Sequence, residues 1–248
     1  MHLKGRSIVV AVAALVAAAG TARLGFWQLD RAAQKTQLQQ ALDERRALPP
    51  VSDVALARDA AAAALQYHRS IVLQGRWAAE QTVYLENRQM HGLPGFYAVT
   101  PLLLNDGSAV LVQRGWLPRN RQDRALVTAA PPPPGLVQVR GRIAPAPARL
   151  YEFDAAASGV VRQNLQIESF ARETGLLLRP LSIVQDDGPA APQDGLQRQW
   201  PKLAANVHKH YGYAFQWFAL SALVIGLYVW FQIIRPAFPP HPPRDARA

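Results

Sequence analysis

The sequence predicts an α+β membrane protein in which two transmembrane helices flank one β-rich extracytoplasmic domain. An apolar run near each end of the 248-residue chain and a period-two pattern between them indicate this class. The run from Tyr211 to Ile234 has no charged residue, and as a helix it would rise about 36 Å, more than a hydrocarbon core of about 30 Å. We therefore divide the chain into a first span (7–29), a periplasmic β-rich domain (30–209), a second span (210–234) and a cytoplasmic tail (235–248).

The first apolar run, Ser7 to Gly20, follows a short basic start with Lys4 and Arg6. This pattern also describes a secretory signal with a cleavage site at Ala17-Ala18-Ala19. Because apolar character continues as far as Leu29, we favour an uncleaved anchor. Long domains cross a membrane largely regardless of their charge, so the basic chain ends predict that both termini are cytoplasmic.

The middle of the chain predicts two helices and then strands. A helix continues from Asp30 to Ala47 and ends at Pro49-Pro50, and Ser52-Asp53 caps a second helix that reaches Gln66. Ser169 caps a short helix that ends at Gly175. Alternating apolar residues between turn signals predict seven strands: Arg69–Trp77, Thr82–Arg88, Phe96–Leu104, Ala109–Trp116, Leu136–Ile143, Val160–Ile167 and Leu181–Gln185.

Three connections are predicted from turn chemistry. Asn105-Asp106-Gly107 is typical of a hairpin turn, and Pro131 to Pro134 predict a polyproline connector. A loop from Gly188 to Gly195 leads back to the second span.

Composition excludes several kinds of site. The chain has no cysteine, which excludes disulfides, covalent haem attachment through CxxCH, and thiolate copper or zinc sites. Sequence motifs of hydrolases and nucleotide-binding enzymes are absent, which argues against an enzyme. The net charge of +10 comes from scattered Lys and Arg. Without a recognition motif this charge fits a membrane lipid partner and not a nucleic acid.

The second span has two faces at 100° per residue. Ala219, Ala222 and Gly226 form a small face, which we expect to pack on the first span, where Ala13/Ala17 and Ala14/Ala18 have the same spacing. The opposite ridge is then expected to face away from the first helix, towards lipid or a partner. It consists of His210, Tyr213, Trp217, Val224, Tyr228 and Phe231.

His210 stands where the second span begins, and two interpretations are open. An interfacial histidine that only marks the membrane boundary is common. The functional alternative is an axial ligand of haem iron, with Tyr213 and Trp217 beside the flat macrocycle. His208 points elsewhere on a helix, so a two-histidine clamp from one helix is not expected. In the loop Arg114–Arg119 we favour a structural role for Gly115 in backbone geometry, while for Arg114 and Arg119 a membrane or anion contact is an open alternative.

These segments resemble, in order, those of the Surfeit locus protein family of cytochrome c oxidase assembly factors. The resemblance rests on five segments: Leu24–Gln28 followed by Arg31 and Lys35, Ile71–Trp77, Gly95–Pro101, Val110–Pro118, and His210–Trp217. Members of the family often have Asn two residues before the histidine, whereas this chain has His208.

The resemblance implies a two-helix inner-membrane protein with a periplasmic domain and no catalytic residues. Its role would be maturation of the catalytic subunit of haem–copper oxidase, through binding and delivery of haem A. His210 would be the iron ligand, with Tyr213 and Trp217 beside the haem. The implied partners are the oxidase catalytic subunit and, as a further candidate, haem A synthase. The alternatives are a structural chaperone without a cofactor and an unrelated periplasmic enzyme.

Overall fold

A single unbroken helix, α1, runs from His2 to Ala47 in the computed structural model. The structure describes residues 2–120, 127, 129, 131–151, 159–187, 194–201 and 207–237. The chain forms two compact units. One contains Met1–Gln40 and Lys202–Ala248, and the other contains Ala41–Pro201.

The first unit consists of α1 and a second long helix. This helix, α4, spans Val207–Val229 and continues through a π-helical segment, Trp230–Ile234, into a last turn, α5, at Arg235–Ala237. Within the described residues, Ser7–Ala47 and Val207–Ile234 are long and apolar enough to cross a membrane. Only 11% and 6% of their apolar segments is buried by protein. Core helices of a soluble protein would be mostly covered, so both helices fit a two-pass membrane protein.

The second unit contains a seven-stranded sheet and two short helices, and it confirms that a sheet domain lies between the two long helices. The helices are α2 (Ala60–Gln66) and α3 (Ile167–Thr174). The strands are β1 (Ser70–Trp77), β2 (Val83–Met90), β3 (Leu93–Leu104), β4 (Ala109–Pro118), β5 (Leu136–Ala144), β6 (Val161–Arg162) and β7 (Leu178–Gln185). The hairpin at Asn105-Asp106-Gly107 joins β3 and β4, as expected.

Pairing of β1 at both of its edges closes part of the sheet into a barrel. The strand order is β1-β5-β7-β4-β3-β2-β6, and β1 also pairs with the end of β3 through Gly75↔Leu104 and Trp77↔Leu102. Five strands thus form a ring, and β2 and β6 extend from the first half of β3. Alternate residues of all five ring strands fill one core: Ile71, Leu73, Leu102, Leu104, Val110, Val112, Val139, Ile143, Leu181 and Ile183.

Two of the predicted elements are wrong in their bounds. Helix α2 begins at Ala60 because the side chain of Asp59 accepts a hydrogen bond from the backbone N–H of Ala62 at 2.9 Å. Ser52 and Asp53 instead accept backbone hydrogen bonds in tight turns. Helix α3 begins at Ile167, so Ser169 lies inside it, although it ends before Gly175 as predicted.

The strand predicted at Val160–Ile167 is reduced to the two residues of β6. The cause is Asn164, whose side-chain amide exchanges two hydrogen bonds with the backbone of Leu150, at 2.7 and 2.9 Å. Asn164 therefore binds the segment at Leu150 and does not continue the strand pairing of β6. The helix α3 begins at Ile167 instead, because Ile167 and Phe170 share one helical face and both are buried in a cluster over the sheet. The predicted loop at 188–195 lies mostly outside the described residues.

The structural role expected for Gly115 is confirmed. A Cβ atom there would lie 2.7 Å from Cβ of Leu196 and 3.0 Å from the carbonyl oxygen of Gln197. Trp116 pairs with Gln197 through two backbone hydrogen bonds of 2.7 and 2.8 Å. Glycine is required because a second segment of backbone approaches β4 at this point.

Candidate functional site

The two long helices pack through a seam with seven-residue periodicity. On each helix the covered positions recur at alternating intervals of three and four residues, the spacing of a left-handed helix pair. Those of α1 are mostly small, and those of α4 are mostly large. They are Ala11, Ala14, Ala18, Thr21, Gly25 and Gln28 on α1, and His210, Ala214, Trp217, Ser221, Val224 and Tyr228 on α4.

Two hydrogen bonds set an antiparallel register along this seam. The Nδ1 atom of His210 lies 2.8 Å from Oε1 of Gln28. The hydroxyl of Ser221 donates to the carbonyl oxygen of Ala18 at 2.9 Å. Moving eleven residues forward on α4 therefore corresponds to moving ten residues back on α1.

Between these hydrogen bonds the helices approach closely at Gly25. A Cβ atom at this position would lie 2.8 Å from the ring of Phe218. The same ring meets Phe26 edge to face, with centroids 5.1 Å apart. The small residues of α1 thus create the space that the larger side chains of α4 occupy.

The face assignment made for the second span is wrong. Ala219, Ala222 and Gly226 are exposed, and no atom lies within 4 Å of a Cβ built on Gly226. The packed face is the one with His210, Ala214 and Ser221. The packed arrangement is complementary: the small residues of α1 leave a groove, and larger side chains of α4 fill it, as the ring of Phe218 does at Gly25. On α1, Ala14 and Ala18 lie on the seam as expected, and Ala13 and Ala17 are exposed.

Of the three predicted site residues, two lie on the seam and one lies beside it. His210 and Trp217 are half-buried on the seam, while Tyr213 is 51% exposed beside it. The three therefore share one side of α4, but this side faces the first helix. His208 is exposed and lies away from the seam.

The contact between Gln28 and His210 has a clear chemical consequence. When Oε1 of an amide accepts a hydrogen bond from Nδ1–H, the neutral imidazole carries its lone pair on Nε2. Within the part of the chain that the structure describes, Nε2 of His210 has no hydrogen-bond partner. Histidine ligands of metals typically have this arrangement, with one nitrogen held by an acceptor and the other left for the metal.

Gln28 is the residue that sequence reasoning missed, because no role was assigned to it. A signal was present: it lies on the same seven-residue pattern as Ala14, Ala18, Thr21 and Gly25, where a polar residue is unusual. Polar side chains at helix interfaces in a membrane find a partner on the facing helix.

Arg114 and Arg119, for which an anion contact was an open alternative, both bind carboxylates of this chain. Arg114 is 1% exposed and pairs with Asp194 at 2.9 Å. Its guanidinium also lies 5.5 Å from the ring centre of Trp77, and burial lowers its pKa. Arg119 pairs with Glu86 at 2.9 Å. Their role in the structure is to hold loops and strands together.

A multi-residue metal centre is not formed by the described residues, which contain no group of three or more His, Asp or Glu suited to hold an ion.

Comparison with known proteins decides the family. The model of the SURF1 family matches residues 15–222, which include most of both seam helices and the whole sheet domain. The chain belongs to the SURF1 family. This membership confirms the resemblance seen in the sequence, and SURF1 proteins are in general cytochrome oxidase assembly factors, a family not known for enzymes.

Similar SURF1 proteins occur in bacteria and in a eukaryote. A SURF1-like protein of Rickettsia bellii is 27% identical over 209 residues, which is 83% of each chain. One of Rickettsia felis is 26% identical over 209 residues, 83% of this chain and 89% of its own. One of Dictyostelium discoideum is 31% identical over 99 residues, 38% of this chain and 37% of its own.

Proposed function

We propose that this SURF1 protein binds haem A through His210 and assists its insertion into the catalytic subunit of haem–copper cytochrome c oxidase. Membership of an oxidase assembly family supports the oxidase as the client. The observation that carries the haem-binding part is the 2.8 Å contact between Gln28 Oε1 and His210 Nδ1. It prepares Nε2 as a neutral nitrogen donor of the kind that binds haem iron.

The residues around His210 fit a flat, largely apolar ligand. Tyr213 is one turn away on the same side and half exposed, so its ring offers contact area beside the histidine. Trp217 continues this side along the seam. A single histidine from this chain would hold the haem through one donor, which suits a carrier that must release its cargo.

The proposal includes the surroundings of the protein. We place it in the inner membrane, with both termini cytoplasmic and the sheet domain periplasmic. In this proposal haem A is made and used in the same membrane. Haem A synthase is the proposed donor of the haem, and the oxidase catalytic subunit is its acceptor. The two apolar helices support the two-pass arrangement.

Haem binding can be tested on the full chain purified in detergent from cells that make haem A. We expect a Soret band and extractable haem A from the natural protein. His210→Ala should lose most of the haem. His208→Ala is the matched control, because it removes an exposed imidazole two residues away and should change little. Equal haem content in both variants would exclude His210 as the ligand.

A chaperone without a cofactor is the second candidate, and one observation favours it. The exposed face of α4 with Ala219, Ala222 and Gly226 is open to a helix of another protein, and small residues allow such helices to approach closely. In this case the purified protein would show no Soret band. Gly226→Leu would then reduce assembled oxidase, and His210→Ala would leave it unchanged.

A further inference from the structure

The contact between Gln28 and His210 supports the proposal above, and it also gives Gln28 a role of its own. Gln28 is half-buried on α1 and faces His210 across the two helices. Ser221 with Ala18 and Phe218 with Gly25 also join the two helices, so pairing of the helices does not rest on Gln28 alone. A polar amide at a seam otherwise lined by Ala, Thr and Gly needs a reason.

We infer that Gln28 is a positioning residue for His210: its Oε1 accepts the Nδ1 proton and thereby keeps Nε2 unprotonated for a metal ligand. This inference rests on the proposed haem-binding function. The chemistry follows from the two tautomers of a neutral imidazole. If the proton were on Nε2, that nitrogen could not donate its lone pair to iron, and each such molecule would be unable to bind until the proton moved.

The amide contributes in a second way, because it restricts the ring. Rotation of His210 about its side-chain bonds would break the 2.8 Å hydrogen bond. An unpaired polar group in an apolar helix interface is costly. The hydrogen bond therefore holds both the tautomer and the orientation before a ligand arrives. Acceptors of this kind typically contribute about 10- to 100-fold to metal affinity.

Three substitutions separate the acceptor from other roles of Gln28. Gln28→Leu keeps the size of the side chain and removes the acceptor. Gln28→Glu keeps an acceptor at the same reach, so it can replace the natural residue only if accepting a hydrogen bond is what matters. Gln216→Leu is the matched control, since it replaces an exposed glutamine of α4.

The first measurement does not need haem. The nitrogen NMR shifts of labelled histidine in the full chain in detergent report which ring nitrogen carries the proton. We would record them at about pH 8, above the ordinary histidine pKa of about 6.5, and assign His210 by its loss in His210→Ala. We expect the proton on Nδ1 in the natural protein and a mixture in Gln28→Leu. A proton on Nε2 in the natural protein would overturn the inference, whether or not haem binds.

The second measurement is haem titration followed by the Soret band. We expect Gln28→Leu to bind about 10- to 100-fold more weakly than the natural protein, and both Gln28→Glu and Gln216→Leu to bind well. The carboxylate should also lower the reduction potential of bound haem, because it makes the imidazole a stronger donor.

The outcomes distinguish the two proposals. Loss of haem in His210→Ala with unchanged binding in Gln28→Leu would overturn the role of Gln28 and leave haem binding standing. Weak binding in both Gln28→Leu and Gln28→Glu would also overturn it, because the amide would then act by its shape or its N–H group. Absence of haem from the natural protein would refute the proposed function, and the nitrogen shifts would still decide the tautomer.

Discussion

Arg114 and Asp194 form an ion pair that is almost completely hidden from solvent, with 2% and 6% of their side chains exposed. They lie 80 residues apart in the sequence. A second guanidinium, that of Arg198, reaches the same carboxylate at 2.7 Å. One carboxylate thus binds two buried cations beside β4, and it fastens the segment after β7 to the barrel.

Asp194→Asn should destabilise the protein strongly, because it removes the negative charge that the buried guanidiniums of Arg114 and Arg198 share. Removing one partner of a buried pair typically costs about 3 to 5 kcal/mol. The measurement is denaturant unfolding followed by tryptophan fluorescence. Arg58→Gln is the control, since Arg58 pairs with Asp106 but its side chain is 74% exposed, and the change should cost about 1 kcal/mol or less. Similar losses of unfolding free energy in both variants would show that the buried Arg114–Asp194 pair stabilises the protein no more than an exposed pair does.

Gly25→Leu should separate the seam helices, whereas Gly226→Leu should not. A side chain at position 25 would overlap with the ring of Phe218, whereas the space around Gly226 is open. We expect the thermal midpoint of the protein in detergent to fall for Gly25→Leu and to stay near the natural value for Gly226→Leu. The opposite order would mean that the other face of α4 packs on α1.

The antiparallel register can be tested by cross-linking, which is simple because the chain has no cysteine. The two hydrogen bonds of the seam place Ala14 opposite Val224. We expect Ala14→Cys with Val224→Cys to form a disulfide on mild oxidation, seen as a mobility shift in gels. Ala14→Cys with Ala222→Cys should not, because Ala222 lies on the exposed face. Efficient bonding of the second pair would contradict the register.

Acid should weaken the β3–β4 turn through Asp106. Hydrogen bonds from the hydroxyl and backbone N–H of Ser108, together with the nearby Arg179 and Arg58, lower the pKa of Asp106. A carboxyl whose pKa is lower in the folded state contributes stability above its unfolded pKa of about 4 and loses it as the pH falls through the folded value. The thermal midpoint of the natural protein should therefore drop more steeply below about pH 4 than that of Asp106→Asn. Parallel curves would show that Asp106 contributes nothing to the acid sensitivity.

Reporter fusions test the orientation. A fusion after Arg235 should behave as cytoplasmic and one near Gly135 as periplasmic, because both chain ends are basic and long domains translocate regardless of charge. Sequencing the amino terminus of the mature protein should find no cut near Ala19. A new terminus there would remove the half of the seam that contains Ala11, Ala14 and Ala18.

Elements with strong periodicity could be predicted from the sequence, and the long-range contacts could not. Six of the seven predicted strands and the two long helices follow from patterns of two and of 3.6 residues along the chain, whereas the strand predicted at Val160–Ile167 is reduced to two residues. The starts of α2 and α3 could not be read from Ser52 or Ser169, because Asp59 and the burial of Phe170 decide them. The covered side of α4 depends on which residues of α1 are small, a property of the pair that neither helix reveals alone.

The seam also has a consequence for the synthesis of the protein. Ser221 and its partner Ala18 are 203 residues apart, so at translation rates of 5–20 residues per second the first helix exists for roughly 10 to 40 s before the second is complete. During that interval Gln28 cannot form its hydrogen bond with His210, and Gly25 cannot contact the ring of Phe218. The small residues of the first helix allow other helices in the membrane to approach closely during this time, so the second helix must displace any such neighbour before the seam can form.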